Sequence, residues 1–369
     1  MISINHQKNI MSATQPTRPI QPTRLHINLG KIGLFFLSLF LFILGIALMK
    51  EGAGALAPLL QGLSVDNPAD SMGFGWLSAY LILSGSPVAA TSLTFLDNGL
   101  IDPLSAFTMI VGSRMGAGFI VLVIGFLYVL RGRDRATSLG MGLLSLVVTY
   151  STYAFALPLG LWLLNSRLLT FTALPGGSLL TSFTDLLLDP LVGLAAGFLP
   201  LWAVFLLGLG VIVLSLYLFD RCLPVMTLKE SQLGRLSRLV YRPAVMFLLG
   251  AGVTLISMSV SMSLSLLVPL SNRGFVRREN VIPYIMGANV TTFIDTLFAA
   301  LLLNNPDAFL LVLNAMLSIT LVSVAILLLV YRRYERLLLA LTQWASARTL
   351  NLAIFLFIIF LIPILLMFL

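Results

Sequence analysis

The sequence predicts an all-α integral membrane protein built from two inverted-topology repeats, each with a re-entrant helical hairpin and a discontinuous transmembrane helix. Three observations lead there. Of 369 residues, 59% are hydrophobic and only 10% charged, against about 25% charged in an ordinary soluble chain. The apolar residues come in runs close to the roughly 20 residues that cross a bilayer, as at 32–49, 191–219, 309–330 and 352–369. The basic residues, finally, fall almost wholly into alternate loops.

Residues 1–30, rich in Thr, Pro, Gln, Asn and Arg, read as a disordered cytoplasmic tail. The first apolar run starts too late for an ordinary secretory signal, so it is expected to stay as a signal anchor. Full spans are expected near 32–49, 104–130, 137–164, 192–219, 281–303, 308–331 and 349–369. Two further apolar segments are broken. That near 73–98 holds Ser84-Gly85-Ser86-Pro87 at its centre, and that near 244–272 holds Ser257, Ser259, Ser261, Ser263 and Ser265. Freed backbone groups cannot face lipid, so each is expected to be a hairpin with its tip buried in protein. The chain thus divides into the tail, a first repeat (31–164), a connecting span with a basic cytoplasmic loop (165–242), a second repeat (243–331) and a C-terminal transmembrane helix (332–369).

Charge tests the hairpins independently. With the N-terminus cytoplasmic and both broken segments leaving on the side they enter, all but three of the 22 Lys and Arg lie inside. They include Lys31, Arg131, Arg133, Arg135, Arg221, Arg242, Arg277, Arg278, Arg332, Arg333, Arg336 and Arg348. Lys50 and Arg167 fall outside, as do Glu51, Asp97, Asp102, Asp189 and Asp307. Were either segment a full crossing, every later basic loop would change sides, against the loop-charge rule. The hairpins then enter from opposite sides, which makes the halves inverted. That architecture belongs to secondary transporters, and the implied location is the plasma membrane. An internal repeat agrees: an offset of 175 residues lays Gly99 on Gly274, Ser84 on Ser259, Ser86 on Ser261, Ile110 on Ile285 and Gly112 on Gly287.

Composition also excludes functions. A lone Cys222, with His6 and His26 confined to the tail, leaves no cysteine metal cluster and little for histidine acid–base chemistry. No Walker-type loop suggests nucleotide hydrolysis, no concentrated carboxylate set suggests an enzyme of lipid metabolism, and nothing points to nucleic acid. The chain is read as a non-enzyme. The basic stretch 220–242 suits anionic membrane lipid; an oligomer is left open.

In each half a polar hairpin tip precedes a helix expected to break at a Gly-bearing stretch: Gly112-Ser113-Arg114-Met115-Gly116-Ala117-Gly118, then Gly287-Ala288-Asn289-Val290-Thr291-Thr292. Broken helices offer N–H groups to anions and carbonyls to Na⁺, and Ser, Thr and Asn oxygens are further hard ligands. Ser84, Ser86, Ser259 and Ser261 recur at both breaks and are read as site residues; Ser257, Ser263 and Ser265 are read as packing. Arg114 and Asp295 are the charges left at membrane depth, where a charge needs a partner or a cavity. Arg114 either contacts an oxyanion, pairs with Asp295 as a lock, or replaces a lost sodium site. Asp295 is that partner, or binds Na⁺ or H⁺.

These motifs resemble the type II sodium/phosphate cotransporter family, whose halves each pair a Q-S-S-S hairpin motif with a later G-(S/A)-N-x-G-T motif. The likeness covers roughly 73–130 and 244–303. Here Leu83 and Met258 stand at the glutamine, Arg114 at the first asparagine and Thr291 at the second motif's later glycine. The resemblance implies Na⁺-coupled symport of inorganic phosphate, or a related small anion, by alternating access between the hairpin tips. On that reading Ser84, Ser86, Arg114, Ser259, Ser261, Asn289, Thr291, Thr292 and Asp295 line the site. Ser84, Ser259, Asn289 and Thr292 are then candidate Na⁺ ligands. A membrane scaffold or regulatory relative that has lost the ion site is the alternative.

Overall fold

Among the described residues of the computed structural model, seven helical stretches are long and apolar enough to cross a membrane: 30–62, 103–130, 135–166, 201–222, 278–302, 306–347 and 349–366. Each coincides with an expected span, and no strand is present among them. Large apolar side chains such as Phe36, Phe126, Phe155, Trp162, Leu206, Leu248 and Phe357 lie exposed, where a bilayer would cover them. The chain is therefore an all-α multi-pass membrane protein. The described residues are 29–63, 65, 67–166, 168, 177–222, 242–272 and 276–369. The expected tail and most of the basic loop at 220–242 lie outside them.

The elements are α1 (Leu29–Gly52), α2 (Ala57–Gly62), α3 (Pro68–Ile82), α4 (Ser86–Asp97), α5 (Pro103–Ala117), α6 (Phe119–Leu130), α7 (Arg135–Ser166), α8 (Gly177–Phe198) and α9 (Leu201–Cys222). There follow α10 (Pro243–Ser257), α11 (Val260–Ser265), α12 (Leu267–Asn272), α13 (Arg278–Thr291), α14 (Ile294–Leu302), α15 (Pro306–Ala325), α16 (Tyr331–Ala347) and α17 (Thr349–Leu366). Local chemistry sets many starts. Asn67 accepts from the Ala69 and Asp70 amides at 2.8 and 3.0 Å, Asp102 from Ser105 at 2.8 Å, and Asn305 from Ala308 at 3.0 Å. Pro68, Pro87, Pro103, Pro243 and Pro306 sit in first turns, where a missing N–H costs nothing.

Two expectations are corrected. The span near 192–219 is cut: α8 stops at Phe198 and α9 restarts at Leu201, because Pro200 has no N–H to donate and disfavours helical backbone at Leu199. Residues 332–369 hold two helices. A wide turn at Ile326–Val330 leads into α16, which opens with Arg332, Arg333, Glu335 and Arg336 and is amphipathic; only α17 matches the expected C-terminal span.

Both broken segments are broken where expected. α3 and α4 part at Leu83–Gly85, and α10 and α11 at Met258–Ser259. The element order recurs at the 175-residue interval: α10 begins and ends 175 residues after α3, α13 begins 175 after α5, and α14 begins 175 after α6. The close contacts recur as well. A Cβ on Gly75 would strike the Met109 carbonyl and one on Gly112 the Met72 carbonyl; at the same interval, Gly250 would strike Tyr284 and Gly287 would strike Phe247. Hence α3 lies backbone-to-backbone on α5, and α10 on α13, the close approach that small residues permit between membrane helices. The two runs also meet reciprocally, α4 against α14 and α11 against α6. α7 threads between them, touching α5, α6, α12, α13, α15 and α16.

The discontinuities of the two central helices fall at Gly118 and at Thr292–Phe293. They lie at the C-terminal ends of the Gly-bearing stretches, which are themselves helical. Gly112 and Gly287 serve the helix crossings instead. Gly287→Ala should therefore lower thermal stability in detergent by about 1–3 kcal/mol. Gly252→Ala, on the partner helix α10 with no atom of the described residues within 4 Å of its Cβ position, should not.

Candidate ion and substrate site

The two backbone breaks come together. At each, a bulky residue holds left-handed backbone, φ 58° at Leu83 and 49° at Met258, a conformation that costs about 1–3 kcal/mol and persists only where its surroundings impose it. Ser261 Oγ, in α11, lies 3.5 Å from the Leu83 carbonyl, so the second break reaches the first. Ser259 caps α11 by accepting from the Met262 amide at 3.1 Å. Ser84 is half-buried at the first break, and Ser86 is buried as the opening residue of α4.

Behind this junction lies Arg114, 2% exposed, near the end of α5. Its Nη1 donates to Ser86 Oγ at 3.2 Å and to Thr292 Oγ1 at 3.1 Å. Its Nη2 donates to Asp295 Oδ1 at 3.1 Å and to Thr296 Oγ1. Thr296 in turn donates to Asp295 Oδ1 at 2.9 Å, and the guanidinium carbon stands 5.1 Å from the centre of the Phe293 ring, within cation–π range. Arg114 and Asp295 thus form a buried ion pair. Among the described residues, two polar atoms of the pair have no hydrogen-bond partner, Arg114 Nε and Asp295 Oδ2. Asp295 also lines a cavity of about 360 Å³ between α1, α9 and the end of α10, and among the described residues is the one ionisable group on its wall.

The remaining expected residues surround this cluster without joining it. Asn289 Nδ2 donates to Thr149 Oγ1 at 3.1 Å, and Tyr153 Oη donates to the Asn289 carbonyl at 3.3 Å, both from α7. Thr291 donates to the Ala251 carbonyl at 2.9 Å, tying α13 to α10. Of the four candidate Na⁺ ligands, then, Ser259, Asn289 and Thr292 each turn to a different partner. Among the described residues no three His, Cys, Asp or Glu side chains gather as a metal group would need.

Sequence reasoning missed Thr296, Phe293 and Thr149. Thr296 carried a legible signal: Thr292, Asp295 and Thr296 stand at helical i, i+3, i+4 spacing, which puts three polar side chains on one face. Comparison with family models, with curated proteins and with solved structures gives no match.

Removing one partner of a buried ion pair strands the other charge, at a cost of about 3–5 kcal/mol, whereas an apolar replacement of both is often neutral. Asp295→Ala should accordingly lower detergent-solubilised stability by that amount. The double variant Arg114→Met/Asp295→Leu should recover most of the loss, as read by thermal unfolding.

Proposed function

We propose that the chain is a secondary active transporter that moves inorganic phosphate, or a related small anion, together with Na⁺ by alternating access. It would sit in the plasma membrane with its N-terminus cytoplasmic, its two broken segments re-entrant, and its halves inverted. The observation that carries this reading is the meeting of the two breaks at Leu83 and Ser261, with the buried Arg114 directly behind them. Recurrence of the elements at 175 residues and the reciprocal packing of α4 on α14 and α11 on α6 support two like halves exchanging about a shared centre. In such an arrangement Ser84, Ser86, Ser259 and Ser261 line the junction where an anion would be held, and Arg114 supplies the positive charge beside it.

One observation favours a second reading. Both terminal nitrogens of Arg114 are already engaged by the protein's own oxygens, as a structural lock in a non-transporting scaffold would require. The two readings part in proteoliposomes containing the purified chain. Uptake of labelled phosphate should accumulate under an inward Na⁺ gradient, and not under matched K⁺ or proton gradients. Absence of uptake from protein shown to be folded would favour the scaffold.

A further inference from the structure

We propose that the cluster around Arg114 is an oxygen-lined monovalent-cation centre whose resident cation is the Arg114 guanidinium. The centre takes no Na⁺ in the native chain and becomes a Na⁺ site when the guanidinium is removed.

The ligands around the charge carry this inference. Ser86 Oγ, Thr292 Oγ1, Thr296 Oγ1 and Asp295 Oδ1 face the guanidinium, and Asp295 Oδ2 is buried beside them with no partner. These are hydroxyl and carboxylate oxygens alone, the hard donors that small cations of the first and second groups take. Their total charge is one negative, which balances a monovalent cation and would leave a divalent one uncompensated in a buried place. The Phe293 ring face adds attraction for any cation.

The fit to guanidinium is incomplete. A carboxylate placed to receive an arginine usually meets its fork with both oxygens. Asp295 offers one oxygen, leaves the other free, and leaves Arg114 Nε unpartnered as well. The two terminal nitrogens are met by two oxygens each, while Nε and the second carboxylate oxygen are not engaged among the described residues.

Departures from the repeat point to the same place. At the 175-residue interval Arg114 corresponds to Asn289, Asp295 to Ile120, and Thr296 to Val121. Asp295 and Thr296, which meet the guanidinium, thus have apolar equivalents in the other half, and Arg114 itself has a neutral one. The neutral Asn289 instead bonds Thr149.

The binding inference stands apart from transport; only its consequence rests on the transport reading. That consequence is that any coupling Na⁺ engages elsewhere than Thr292 and Asp295.

The test is thermal unfolding of the full chain in detergent, in NaCl against choline chloride at equal ionic strength. Wild type and Asp295→Asn should share one Na⁺ response, whatever its size. Arg114→Ala should gain an added Na⁺-dependent rise in midpoint on the order of 3 °C or more, and Arg114→Ala/Asp295→Asn should lose it. Arg114→Gln, neutral and nearly as long, is the second variant should Ala fail to fold, and should gain the response too. A folded Arg114→Ala or Arg114→Gln without added response overturns the proposal, as does a response that survives Asp295→Asn. Phosphate uptake is not read in this experiment, so its outcome and that of the transport assay are separable.

Discussion

A guanidinium at membrane depth has to be neutralised and hydrogen-bonded, and much of the architecture turns on how this is done for Arg114. Its partners come from the opening residue of α4 and from the start of α14, so one side chain joins segments more than half the chain apart. An isolated charge in a bilayer costs at least a few kcal/mol, and that cost holds the cluster together. Neither half can withdraw without exposing either the guanidinium or the Asp295 carboxylate to apolar surroundings. The interface between the halves is therefore specified by polarity at its centre, while glycine crossings specify packing within each half.

Those crossings show how the broken segments are held. Ending α3 at Ile82 and restarting at Ser86 frees backbone carbonyls and amides that need partners. Gly75 and Gly112 bring α3 onto α5 so closely that no side chain intervenes, and Gly85 lies against the Ser113 carbonyl. The break is thus enclosed by protein on the side where Arg114 stands. Gly250 and Gly287 do the same for α10 and α13. Left-handed backbone at Leu83 and Met258, held by residues that gain nothing from it locally, is consistent with breaks imposed by tertiary packing.

Much of this was legible in the sequence because the bilayer is a severe constraint. Hydropathy alone placed all seven spans, and Ser84-Gly85-Ser86-Pro87 marked a break that the structure has. Less visible were features that depend on neighbours. Pro200 was hidden inside a continuous apolar run, where hydropathy outweighs a single residue. The stretches around Gly112 and Gly287 were expected to interrupt their helices, whereas both glycines sit inside helix and permit a crossing; which of the two holds depends on what lies opposite. The pairing of Arg114 with Asp295 was one of the readings left open by the sequence, reached because they were the charges left at depth, an elimination argument that needs no geometry. Thr296 escaped notice because threonine is common on membrane helices and its role comes from a guanidinium 182 residues away in sequence.

The two halves share their backbone devices and differ in their charge. Each run ends a helix abruptly, and the same devices serve both: a left-handed residue at the break and glycines where the flanking helices cross. Charge is different. A second arginine at Asn289 would need a second carboxylate, and Ile120 and Val121 offer none; like charges across one small interface would repel in a medium of low dielectric. A repeated fold can therefore carry one such centre at its middle, with the neutral Asn289 bonded to Thr149 on the other side. Asymmetry of charge on recurring backbone devices is what lets the two runs meet in one register.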